Sequence, residues 1–150
     1  MKLANLLTEQ RVFLDLQAKD CGEVMEELVN HFAEQGVLQN GMRAQTIKAL
    51  QCREEEISTG VGCGVAIPHA YLEGLDEAVA IFGRSKEGVE FASCDHAPVH
   101  FVVMLLIPED KRGQHLLTLA DIGRRFLSCE VRQSLASAPD TESVMTILAQ

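Results

Sequence analysis

Histidine and cysteine are the side chains here best suited to nucleophilic, acid–base or metal chemistry, and the chain has five of each. His69 stands out because it closes a segment of unusual composition, "STGVGCGVAIPHA", at residues 58–70. Ser58 and Thr59 precede three glycines spaced at two, Gly60, Gly62 and Gly64. The apolar run Val65-Ala66-Ile67 then leads into Pro68. A proline ends a strand ladder, so His69 is predicted at a strand end beside a glycine loop. An imidazole there can act as a nucleophile and carry a covalent group. The glycines let backbone amides approach an anion closely, and the two hydroxyls add donors. The same spacing also suits a plain loop-to-strand connection and a structural histidine, and it does not choose between the two.

The other candidates are less pointed. His115 follows the charged loop Glu109-Asp110-Lys111-Arg112-Gly113 and opens a predicted helix, where free amides and the positive dipole end suit an anion. His96 and His100 have the spacing of a helical metal pair, but Pro98 and the strand after it remove that geometry. His31 sits at the edge of an apolar helix face and reads as structural. Cys21, Cys52, Cys63, Cys94 and Cys129 form no C-x-x-C unit, which argues against a zinc ribbon and for reduced thiols in the cytoplasm. The glycines complete neither a P-loop nor a dinucleotide fingerprint, since no Gly-Lys-Ser/Thr follows and Val65 stands where a third glycine or alanine is needed.

These residues need a scaffold, and the composition supplies one. The 150 residues are 47% hydrophobic, enough for a core and of a length for one domain over 1–150. A formal charge of −9, with few aromatics, argues against nucleic acid and anionic membranes. It suits either a partner with a basic face or simple solubility. The N-terminus lacks a signal-peptide core and no apolar stretch reaches the ~20 residues of a membrane span.

Alternation predicts a strand over residues 11–16. Val24, Leu28 and Phe32, widened by Met25 and Val29, predict a helix over 20–35, capped by Asp20 and stopped by Gly36. A second helix is predicted over 42–54 with Ile47 and Leu50 facing inward. Strands follow at 65–67, 78–82 and 99–107, the last apolar enough to lie centrally with both faces covered. Helices are predicted at 114–127, 128–136 and from Asp140 to the end. The expected fold is α/β, a three-layer α/β/α arrangement on a central mixed sheet. Its order is strand, two helices, three strands, three helices.

The segment "REEEISTGVGCGVAIPHA" at residues 53–70 resembles the signature of the enzyme IIA domains of the bacterial phosphoenolpyruvate-dependent phosphotransferase system. The fructose/mannitol type, which includes the nitrogen-regulatory enzyme IIA, is the nearer subfamily. "CDHAPVHFVVMLLIP", "HLLTLADIGRRFL" and the N-terminal "NLLTEQRVFLDLQAKDCGEVMEELVNHFAEQG" agree with the family in order and spacing.

The resemblance implies a phosphoryl relay. An HPr-type phosphocarrier donates to His69 at Nε2, and the group passes to a sugar-specific IIB component or is held as a regulatory mark. His115 would stabilise the phosphate and Arg53 would neutralise it. Thr59, Ser58 and the amides around Gly60, Gly62 and Gly64 would hold its oxygens, and Asp95 would orient an imidazole. Positioning and charge neutralisation dominate such transfers, and no cofactor or metal is implied. The chain departs from the family pattern at Cys63, often Asn there, and at His96, where the family has glycine. Two other readings are a regulatory module that docks on target proteins without sugar delivery, and a metal or redox site joining Cys63 to Cys94, His69 or His96.

Overall fold

The computed structural model describes residues 3–39, 41–56, 58–91 and 95–150. Strands β1 (Val12–Phe13), β2 (Gly60–Gly62), β3 (Val65–Ala66), β4 (His69–Leu72), β5 (Val79–Val89) and β6 (Val99–Pro108) form one mixed sheet. Its order is β1-β5-β6-β3-β2, with β4 also paired to β6. Helices α1 (Cys21–Glu34) and α2 (Met42–Glu56) precede β2, and α3 (Leu116–Phe126), α4 (Cys129–Ser137) and α5 (Thr141–Ala149) follow β6.

The sheet alternation divides the core in two. Phe101, Val103, Leu105 and Ile107 of β6 join Ile122 and Phe126 of α3, Leu135 of α4 and Val144 and Leu148 of α5. Val102, Met104 and Leu106 face the other way, onto Val24, Met25, Leu28 and Phe32 of α1 and Leu50 of α2. Both faces of β6 are therefore covered, as its apolar run predicts. Each such side chain contributes about 1.5–3 kcal/mol on burial. The layers are α/β/α. Asp20 Oδ1 caps α1 by accepting the Glu23 N–H at 2.9 Å, and Asp140 caps α5 through Ser143 at 2.8 Å.

The helices follow the predicted order, but the described residues form six strands rather than four. β1 is shorter than its alternating pattern and β5 runs well past Phe82. The second half of β5 carries buried Arg84 and Ser85, a polar stretch that no apolar count reads as strand. Around His69 the difference is more instructive. β3 pairs Val65 with Phe101 and β4 pairs His69 with Leu105, both parallel to β6 and in unbroken register. Pro68 interrupts this line without ending it, because its carbonyl still accepts the Leu105 N–H at 3.0 Å. His69 thus opens a strand rather than trailing one.

Candidate active site

Strand alternation puts Val65, Ile67, His69 and Tyr71 on one side of the β3–β4 line. Val65, Ile67 and Tyr71 join the α3–α5 core, and His69 stays half-buried at the margin. Nδ1 of His69 lies 2.9 Å from the Ile67 carbonyl oxygen. A carbonyl only accepts, so Nδ1 carries the proton and donates it, and Nε2 keeps its lone pair. Burial pushes the imidazole below its ordinary 6.5, the Arg53 guanidinium pushes the same way, and the Ile67 bond and Glu54 carboxylate oppose them. Both observations favour a neutral ring at neutral pH with its lone pair on Nε2, an arrangement that can act as a nucleophile.

His69 opens onto a groove of about 620 Å³ between the C-terminal half of α2 and the start of α3. Arg53 and Glu56 line one wall, Tyr71 the floor, and Arg112, Leu116 and Leu119 the other wall. The Arg112 guanidinium lies 3.9 Å above the centre of the Tyr71 ring, which meets His69 edge-on with centroids 6.1 Å apart. Arg112 also donates to both oxygens of Glu109, at 2.8 and 3.0 Å. The lining holds two guanidinium groups and the Glu56 carboxylate, with Arg112 shared with Glu109 outside it, and the guanidinium groups can receive an anionic group on Nε2.

Of the site residues read from the sequence, the structure brings His69 and Arg53 together in this groove and does not place the others in its lining. Glu54, whose role the sequence does not disclose, accounts for two of them. Its carboxylate accepts the Thr59 N–H at 2.9 Å and the Thr59 hydroxyl at 2.6 Å. The Ser58 hydroxyl lies within hydrogen-bond distance of Glu54 Oε1 and of the Phe91 carbonyl. The Thr59 carbonyl in turn accepts the Ile67 N–H at 3.0 Å, and the Ile67 carbonyl holds His69. A line of hydrogen bonds therefore runs from Glu54 through Thr59 and Ile67 to the imidazole.

Gly60, Gly62 and Gly64 build a β-hairpin. Gly62 pairs with Val65, leaving Cys63-Gly64 as a two-residue turn with φ of 58° and 78°. Positive φ at both central positions is what a type I′ hairpin needs, and Asn-Gly is the pair that adopts it most readily. That accounts for the preference at position 63, where Cys63 is the harder residue to accommodate. Asp95 steadies this tip: its carboxylate accepts the Cys63 N–H at 2.9 Å and the Ala97 N–H at 3.1 Å. Those bonds hold its carboxyl below the usual range. His96 also has positive φ, 57°, which explains why glycine suits that position.

His115 ends the 3-10 turn Glu109–His115 and is buried, with Nδ1 3.4 Å from the Thr118 hydroxyl. Burial, helped by the Lys111 charge, lowers its pKa. Cys94 lies outside the described residues. Cys21 is half-buried near Glu54 and Asp20, and burial together with those carboxylates pushes its thiol up to about 12, which disfavours the reactive thiolate. Among the described residues no three His, Cys, Asp or Glu side chains converge as a metal-binding set, and no helix is long and apolar enough to cross a membrane. Sequence reasoning also misses Arg112 and Tyr71. Nothing in a charged loop or a short strand signals that the two stack.

Comparison with known proteins places this geometry. The sequence model of the family described as "Phosphoenolpyruvate-dependent sugar phosphotransferase system, EIIA 2" matches residues 5–150. The chain belongs to this family. As an EIIA-type phosphotransferase component it is 33% identical over 150 residues to the fructose-specific EIIABC component of Bacillus subtilis strain 168. It covers all of its own length in that match but 23% of the longer protein. The EIIA fold here superposes on the nitrogen regulatory protein IIA-Ntr of Neisseria meningitidis with a TM-score of 0.89 and 32% identity, covering 97% of each chain. A complex of Escherichia coli enzyme IIA mannitol with phosphorylated enzyme IIB mannitol matches at a TM-score of 0.78 and 18% identity, over 95% and 96% of the chains, which shows the shared fold.

Proposed function

We propose that this EIIA chain accepts a phosphoryl group on Nε2 of His69 from an HPr-type phosphocarrier in the cytoplasm. It then passes the group to a IIB-type component or holds it as a signal. The observation that carries this reading is the Nδ1–H bond from His69 to the Ile67 carbonyl, which leaves Nε2 as the free lone pair in a groove that Arg53 and Arg112 line. In the transfer the donor's P–N bond breaks, its electron pair returns to the donor imidazole, and the Nε2 lone pair forms the new P–N bond. The Ile67 carbonyl steadies the positive charge that develops on the ring, while Arg53 and Arg112 balance the incoming oxygens. Glu54, Thr59 and Ile67 act as positioning residues.

The remaining site residues take supporting roles in this proposal. Ser58, Gly60, Gly62, Gly64 and Asp95 build the hairpin beside the strand that carries His69. His115, one residue before the groove-lining Leu116, stabilises the phosphorylated state. A protein partner docks on Leu116 and Leu117, which are 60% and 81% exposed beside the groove. The test is to feed the chain from phosphoenolpyruvate through a donor phosphocarrier and weigh the intact protein. One acid-labile phosphoryl group on the wild type and none on His69→Ala is the expected result. Absence of the group, or its persistence in His69→Ala, overturns the proposal.

The likeness to IIA-Ntr over nearly the whole of both chains favours a second reading, in which docking on regulated target proteins replaces sugar delivery. Affinity for such a target would change on phosphorylation of His69, and an unchanged affinity would contradict this reading.

A further inference from the structure

A second cavity, of about 440 Å³, lies between α4 and the adjoining parts of β5 and β6. It shares no lining residue with the His69 groove, and its β6 residues, His100 and Phe101, precede the stretch of β6 that β4 pairs with. Arg84, Lys86, Arg132 and His100 line it together with apolar Phe101 and Ala136, and no carboxylate is in the lining. Three permanent cations in one small cavity run against a chain charge of −9.

Arg84 is the informative residue. It is 8% exposed, yet its hydrogen-bond acceptors are neutral carbonyls: Leu14 at 3.2 Å through Nε, and Leu135, Ala136 and Ala138 at 2.9, 3.5 and 2.8 Å. Among the described residues no carboxylate lies within ion-pair distance of it. Buried charges are ordinarily paired with an opposite one. The carbonyls at the end of α4 supply part of that compensation through the negative end of the helix dipole. His100 donates from Nδ1 to the Ser85 carbonyl at 2.9 Å, which fixes its ring against the cavity wall.

We infer that this cavity binds a small organic carboxylate, its charge set against Arg84, Lys86 and Arg132 and its apolar body against Phe101 and Ala136. The volume falls within the range of small-molecule sites, and guanidinium groups match a carboxylate in shape as well as charge. The mixed lining favours an organic anion over free phosphate.

The experiment is calorimetric titration of the whole chain with benzoate, with its neutral analogue benzyl alcohol, and with inorganic phosphate. Two variants locate the site: Arg132→Ala removes a cation and Ala136→Phe fills the volume, each checked for native circular dichroism. The expected result is saturable benzoate binding, undetectable with benzyl alcohol and weaker with phosphate, and reduced tenfold or more in both variants. It should be unchanged in His69→Ala, which keeps this inference independent of the phosphoryl relay. No saturable benzoate binding, equal binding of benzyl alcohol or phosphate, or indifference to both variants overturns it.

Discussion

The Glu54 carboxylate in the last turn of α2 receives both the backbone N–H and the hydroxyl of Thr59, at 2.9 and 2.6 Å, across a gap of five residues. Thr59 is buried, so removing the acceptor strands two donors. Glu54→Ala should therefore destabilise the fold by about 1–3 kcal/mol in urea unfolding. It should also slow phosphoryl acceptance in single-turnover assays, because the line to His69 through Ile67 loosens. Thr59→Val, which keeps shape and backbone bond, should cost less on both measures. An effect on stability without one on transfer would mean that the line does not position the imidazole.

Arg53 and Arg112 line the same groove but stand differently. Arg112 is about half exposed and pairs with Glu109 at the surface, an arrangement worth little to stability. Arg112→Ala should leave the melting temperature nearly unchanged and slow transfer to His69 by about tenfold to a hundredfold, within the range for losing one charge-stabilising donor. Arg53→Ala should be at least as damaging to transfer, and Arg53→Lys should restore it incompletely because a lysine lacks the planar fork. Wild-type transfer rates in both alanine variants would remove the groove cations from the mechanism.

Both His69 and His115 have pKa values below 6.5, mainly from burial. Below about pH 6.5 the unfolded chain takes up protons at these positions while the folded chain still does not. Stability should therefore fall as pH drops through 6.5 toward the folded values, and level off for these groups once the folded chain also titrates. Urea melts at pH 8, 6.5 and 5.5, with an NMR titration of the His69 ring, check this. A His69 midpoint at or above 6.5 contradicts the buried, Arg53-facing environment.

The Cys63-Gly64 turn supplies a stability prediction. Cys63 holds a left-handed φ that Asn adopts more readily, so Cys63→Asn should raise stability by about 1 kcal/mol with no loss of transfer. Cys63→Val, branched at Cβ, should lower it by a similar amount. Thermal melts of the three proteins decide the order.

Much of this fold is legible from patterns that burial dictates. The Val24, Leu28, Phe32 stripe, the caps at Asp20 and Asp140 and the unbroken apolar run of β6 each reflect one local requirement. The strands β2 and β4 are not legible in that way. Glycine shapes β2 and Pro68 masks β4, whose identity comes from register with β6 rather than from its own residues. At the site, the resemblance points to His69 and Arg53, which the groove brings together. The hydroxyls of Ser58 and Thr59 look like phosphate donors in sequence, yet a carboxylate on a different element takes them up. Arg112 over Tyr71 joins residues from separate elements, a relation that exists only once β4 and the 3-10 turn have packed.

Phosphorus and nitrogen NMR of the chain labelled with 15N-histidine and phosphorylated from phosphoenolpyruvate through a donor phosphocarrier tests the relay most directly. The expected result is one phosphoryl group, bonded to Nε2 of His69, with Nδ1 still protonated and donating to Ile67. A phosphoryl group on Nδ1 of His69, on another residue, or on none would contradict it.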